Sequence, residues 1–232
     1  MVIFKFALLR IFRNPITIFA SFILPVTIML ISELWEHGEM GDVISGRGYY
    51  LIAMVMLFGA HPLTNGMIRE RKDKTIVRVM STPITNLKYL AQNLLASLVP
   101  LVLQIILVCI LGMALRDWSL QFIFFISITY LLFAASSIAF IFAWHAFFKY
   151  KQSTVVALTS FLTLATFILI FPLELFPPAV RYSFMIFPTY WIASALETLI
   201  KDGADVHFVI TLATLAIFSI GFLMYGKSRK AY

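Results

Sequence analysis

The chain has 232 residues, 61% of them hydrophobic and 12% charged, with a net charge of +7 and a mean hydropathy of +0.94. That balance excludes a soluble globular domain and fits an integral membrane protein. A lone cysteine, Cys109, excludes a disulfide framework or a thiolate metal site within the sequence.

A helix needs an uncharged run of about 20 residues to cross the hydrocarbon core. Six such runs occur: Asn14–Ser32, Tyr49–Ile68, Tyr89–Leu115, Trp118–Phe148, Gln152–Leu173 and Val206–Gly226. They predict an all-α integral membrane fold in one transmembrane domain covering 1–232, with spans near 15–35, 49–68, 88–115, 119–145, 153–172 and 205–226. The runs are continuous, whereas barrel strands alternate over about ten residues.

Residues 1–13 precede the first span and scatter Lys5, Arg10 and Arg13 among Phe4, Phe6, Leu8, Leu9, Ile11 and Phe12. The pattern predicts an amphipathic elbow helix in the membrane interface; the alternative is a plain extension of the first span. Asn14-Pro15 breaks the helix and starts the span. No small-residue cleavage site ends a short apolar core, so this is not read as a cleaved signal peptide.

Pro25, Pro62 and Pro100 each interrupt a different span, and each removes a backbone hydrogen bond. Polar residues gather near two of them: His61 and Asn65 around Pro62, and Gln104 one turn beyond Pro100. Gln92 and Asn93 begin the same third span. Polar groups at such depth face a bundle interior or a cavity, so His61, Asn65 and Gln104 are candidate substrate-path residues. Interhelix hydrogen bonding is the competing role. Ala135, Ala139 and Ala143 form a small-residue stripe that lets another helix approach closely.

Between the second and third spans, 69–87 carries the one dense run of charge, from Arg69 to Arg78. It must lie in water, and it suits docking of a soluble partner. A short helix over Thr75–Ser81, stopped by Thr82-Pro83, would serve as a lever. Glu70 would tether the loop to Arg71, Lys74 or the elbow. Val77 and Met80, three apart, would present an apolar knob, with Arg78 at its rim.

The segment 173–203 is rich in proline and aromatics and too apolar for a solvated loop. Its apolar part, Tyr182–Leu196, is too short to span and contains Pro188. It predicts an extracellular re-entrant helical hairpin dipping into the outer leaflet and burying Phe184, Phe187 and Trp191. Glu174 stands at the junction with the fifth span, and Glu174, Phe187 and Trp191 complete the candidate path. In the last span, Gly221 to Ser228 matches the phosphate-loop pattern G-x-x-x-x-G-K-S/T. That motif requires a preceding strand and a following helix, and here its first glycine falls inside a membrane run. Gly226 reads instead as a helix C-cap and Lys227 as an interfacial anchor.

Alternating the soluble segments puts fourteen of the eighteen Lys and Arg on one side, with Arg47, Arg116, Arg181 and Lys201 on the other. The cation-rich side is then cytoplasmic and holds both termini. The basic balance reflects topology and anionic lipid contact, with no nucleic-acid signal.

The basic elbow, six spans, charged loop and proline-aromatic hairpin together resemble the membrane subunit of ATP-binding-cassette exporters of the second (drug and polysaccharide) type. In the loop, Glu70, Thr75, Arg78, Thr82 and Pro83 carry the likeness, and Lys74 stands where the family commonly has glycine. The resemblance implies a plasma-membrane permease, bacterial by type, exporting a hydrophobic or amphipathic drug, antimicrobial peptide or lipid-like compound. It has no ATPase and binds no cofactor of its own. ATP and Mg would be held by two separate nucleotide-binding subunits that grip Glu70, Arg71, Thr75, Val77, Arg78, Met80, Thr82 and Pro83. A second permease subunit, identical or not, would complete the complex. Two other readings compete: a sensor or immunity protein that binds a peptide without transport, and a membrane enzyme acting on lipid-linked material. Clustered acids, bases or metal ligands for the latter are missing from the sequence.

Overall fold

The computed structural model describes residues 2–36, 48–72, 86–147, 177 and 184–228. Among these the secondary structure is helical: α1 (Val2–Phe12), α2 (Pro15–Ile18), a π turn (Phe19–Ile23), α3 (Leu24–Glu36), α4 (Gly48–Lys72), α5 (Asn86–Arg116), α6 (Leu120–Phe147), α7 (Pro188–Lys201) and α8 (Val206–Ser228). Three stretches are long and apolar enough to cross a membrane: Ala91–Arg116, Leu120–Trp144 and Val206–Tyr225. A fourth arises if the bent pair Ile3–Phe12 and Pro15–Ile31 counts as one span. The apolar part of α4, Gly48–Thr64, is about 25 Å long and falls short of a core about 30 Å thick. The fifth expected span, 153–172, and the expected coupling helix lie outside the described residues.

Local chemistry explains the first break. Asn14 is extended, and its side chain accepts a hydrogen bond from the Ile16 amide at 3.1 Å, capping a helix that starts on Pro15. Proline suits that position because its missing N–H would be unsatisfied there anyway. The axes on either side of the break differ by 78°. Along α1 the buried positions are Ala7 and Ile11, one turn apart, while Phe6 and Leu9 are exposed beside Lys5 and Arg13. The exposed face is therefore mixed apolar and basic rather than cleanly polar.

Pro25 does not simply kink the next helix. A proline clashes with the carbonyl four residues back and offers it no donor. The chain answers by widening the preceding turn, so that Leu24 N donates to Phe19 O, five residues back.

α6 is the hub, packing against α4, α5, α7 and α8. Its inner run, Phe133, Ala134 and Ser136 to Ala143, is buried. The small side chains of Ala139 and Ala143 fall in this run, and Phe125–Phe208 and Phe140–Phe222 ring contacts show α6 and α8 running parallel. α5 turns into α6 through Asp117, whose φ of 49° is left-handed. The Trp118 ring then folds over Gly112, where a Cβ would lie 2.2 Å from the indole, so only glycine fits. Gly203, with φ of 79°, makes the turn between α7 and α8. Asp205 then caps α8, accepting from Phe208 N at 2.8 Å.

α7 has fourteen residues, about 21 Å, and begins on Pro188 after an extended Phe187. It runs back along α8, with Ser194 and His207 hydrogen-bonded at 3.2 Å. Its start reaches the level of Phe218 and Phe222, with which Phe187 lines a cavity. That is past the middle of the apolar stretch Val206–Tyr225.

Candidate functional site

Glu70 lies in the last turns of α4, a place where a helix dipole disfavours an anion. The cost is offset by partners from two other helices. Arg10, in the last turn of α1, pairs with one carboxylate oxygen, and the Tyr89 hydroxyl, in the first turn of α5, donates to the other. Arg10 and Glu70 are partly exposed, at 39% and 30%, whereas Tyr89 is buried. The charged loop leaves α4 just after Glu70 and rejoins α5 just before Tyr89. One carboxylate therefore ties both roots of that loop to α1.

The tie extends inward through neutral groups. Arg10 Nη2 lies 3.4 Å from Asn93 Oδ1, and Asn93 Nδ2 donates to Tyr89 O at 3.0 Å. Gln92 Oε1 accepts from the Phe4 amide at 3.3 Å, fixing α1 a second time. One turn further along α5, the Ser97 hydroxyl reaches Leu63 O at 3.2 Å and Asn93 O at 3.0 Å. Asn93 and Ser97 are buried, so these bonds are made where water competes little. The Thr64 hydroxyl reaches Ala60 O at 3.1 Å and His61 O at 3.0 Å, bracing the stretch around Pro62.

Of the expected coupling residues, Glu70 is placed, and among the described residues it is tethered to Arg10 of α1 and Tyr89 of α5. Arg71 belongs to α4, but its side chain lies outside the described residues. Thr75, Val77, Arg78, Met80, Thr82 and Pro83 lie outside them altogether. Of the candidate path, Glu174 also lies outside, as does the side chain of Asn65 on α4. His61 is half-buried on α4. Gln104 on α5 is fully buried, with neither amide atom hydrogen-bonded among the described residues. The hydroxyls of Thr17 and Ser21, around the π turn, share that condition. Phe187 and Trp191 stand on a different wall. Trp191 Nε1 donates to Met185 O at 2.8 Å, folding the approach to α7. Phe187 lines a cavity of about 580 Å³ with Phe140, Trp144, Phe218 and Phe222, and neither His61 nor Gln104 reaches it.

Two features escaped the sequence reading. Arg10 and Tyr89 look like an interfacial cation and a belt aromatic, and nothing in their spacing shows that they meet. The cavity had a readable signal: Phe140, Trp144 and Phe147 on α6, and Phe218, Phe222 and Tyr225 on α8, both fall at i, i+4, i+7. The phosphate-loop look-alike, Gly221 to Ser228, is continuous helix, and α8 runs two residues past Gly226, which is therefore not its C-cap.

A comparison with curated proteins finds no match. The family model described as "ABC-2 family transporter protein" matches residues 37–226, most of the chain from before α4 into the last turn of α8. With its apolar helices this makes the chain a membrane protein, and it belongs to the ABC-2 transporter family, the permease component of ABC transporters.

Proposed function

We propose that the chain is the permease subunit of an ABC exporter, moving a hydrophobic or amphipathic compound while ATP is hydrolysed in separate nucleotide-binding subunits. Family membership supports the permease role. The carrying observation is the Glu70 carboxylate held by Arg10 and Tyr89. A push on the loop 73–85 cannot move one root alone, because α1, α4 and α5 are joined where the loop begins and ends. The loop is thus positioned to turn a partner's motion into displacement of three helices together.

In this reading the cation-rich face is cytoplasmic, the fifth span completes six, and two permease subunits meet two ATPases. The fourteen-to-four distribution of Lys and Arg supports the orientation. The 78° bend before Pro15 supports an elbow lying along the interface, and the short α7, folded back along α8, supports a re-entrant hairpin. Buried Gln104, with its uncommitted amide, supports a polar step in the cargo path on the α5 side.

The test is reconstitution with a nucleotide-binding ATPase subunit from the same organism. Losing a buried apolar anchor costs an interface about 2 kcal/mol or more, and a rim charge costs much less. Met80→Asp is expected to abolish permease-stimulated ATP hydrolysis and export while insertion is unchanged. Arg78→Ala should weaken assembly mildly and in a salt-dependent way. Intact co-purification and export in Met80→Asp would refute the reading of the loop.

A further inference from the structure

The polar stripe of α5 does not end at Ser97. At about 100° per residue, Tyr89, Asn93, Ser97 and Gln104 fall within an arc of about 80° on one face. The first three bond to α1 and α4: Tyr89 to Glu70, Asn93 to Arg10, and Ser97 to Leu63 O. Gln104 follows on the same face and is fully buried, yet both of its amide atoms lack a partner among the described residues. The Thr17 and Ser21 hydroxyls, one turn apart around the π turn, are buried and unpartnered in the same way.

Packing brings these groups to one depth. A Cβ built on Gly59 of α4 lies 4.0 Å from the Ala20 Cβ, so the π turn seats on α4 beside Ser21, and it packs against α5 as well. From the Ser97–Leu63 bond, equal steps along antiparallel α5 and α4 set Gln104 level with Met56. Met56 is about 4.5 Å along the helix from Gly59. At the same depth Pro62 offers no N–H to Phe58 O, the carbonyl just before Gly59. Buried polar groups of this kind are rarely left bare, least of all at membrane depth. A hydroxyl and an amide each need both a donor and an acceptor. A metal cation would serve the oxygens and leave Gln104 Nε2 without an acceptor, and an apolar guest would serve neither. Water serves both.

We propose that the seam between the π turn, α4 and α5 binds ordered water halfway along α5, held by Thr17, Ser21 and Gln104. This water extends inward the connected polar set that begins at Glu70. It lets the π turn slide past α5 by exchanging hydrogen bonds rather than losing them. The site is independent of ATP and of the exporter reading, so its test omits the ATPase.

The experiment is X-ray radiolytic footprinting of the purified full-length chain in nanodiscs, read by mass spectrometry. Radiolysis turns water bound against a side chain into hydroxyl radicals that oxidise it in place. Met56, fully buried and level with Gln104, is the reporter. Met29 is the comparator: it is equally apolar and buried, but lies about 12 Å beyond Ser21 along α3. Met56 is expected to oxidise several-fold faster than Met29. Gln104→Leu combined with Ser21→Ala should bring Met56 down to the rate of Met29. If that pair does not insert, Ser21→Ala alone is expected to slow Met56 and leave Met29 unchanged. A parent protein in which Met56 is no faster than Met29, or variants in which Met56 stays as fast as in the parent, would overturn the proposal. So would a thermal midpoint raised by sodium or potassium over choline and lost in Gln104→Leu, which would mean that a cation occupies the seam.

Discussion

The junction of α1, α4 and α5 and the junction of α6, α7 and α8 lie toward the same end of the bundle, yet different forces hold them. At the first, a carboxylate, a guanidinium, a phenol, an amide and a hydroxyl form a connected set. At the second, rings meet rings at centroid distances of 5.1–5.6 Å around empty volume. Hydrogen bonds fix direction and distance, so the first junction passes a push on as displacement. Aromatic contacts are only weakly directional, so the second can yield to a guest or a sliding helix without losing its chemistry. The exporter proposed above, driven by a separate motor, would use both kinds of joint.

Three substitutions break or sharpen the contrast. Glu70→Ala should have the largest effect on stability, because it removes the carboxylate that the Arg10 guanidinium and the buried Tyr89 phenol share; about 2 kcal/mol is expected after allowing for partial exposure. The midpoint of thermal unfolding in detergent checks this, and an unchanged midpoint would make the carboxylate an ordinary surface group. Next comes Ser97→Ala, which removes the hydroxyl reaching Leu63 O across helices and should cost about 0.6 kcal/mol, the usual size of such bonds in membranes. Smallest of all is Gly221→Leu, expected to stay within about 0.5 kcal/mol of the parent because the new side chain enters open space. A strongly destabilised Gly221→Leu protein would mean that the aromatic junction is packed as tightly as the polar one.

Much of this was legible in the chain, for identifiable reasons. Helical class and the limits of α5, α6 and α8 follow from unbroken apolar runs, because backbone groups in lipid must bond within their own segment. The break at Asn14-Pro15 is legible because cap and proline chemistry are local. Glu70 could be singled out because it stands where the charged run leaves the second span and matches the loop of the family the chain resembles. Its partners are 19 and 60 residues away, and no local pattern names them. The π turn was hidden because Pro25 can be met by a kink or by a wider turn, and neighbouring helices decide which. The depth of α7 was hidden because apolar length says that a segment enters, not how far a folded-back helix travels along α8. The cavity was hidden because aromatic faces at i, i+4, i+7 look the same whether they close on each other or leave a gap.

The central claim is that Arg10 and Glu70 act as one unit in passing motion from the loop to the bundle. A double-mutant cycle on permease-stimulated ATP hydrolysis, in the reconstituted complex, tests it most directly. Arg10→Ala and Glu70→Ala should each lower the stimulation while co-purification with the ATPase persists, and the double variant should be no worse than the poorer single one. Full stimulation in the single variants, or losses that simply add, would contradict the account.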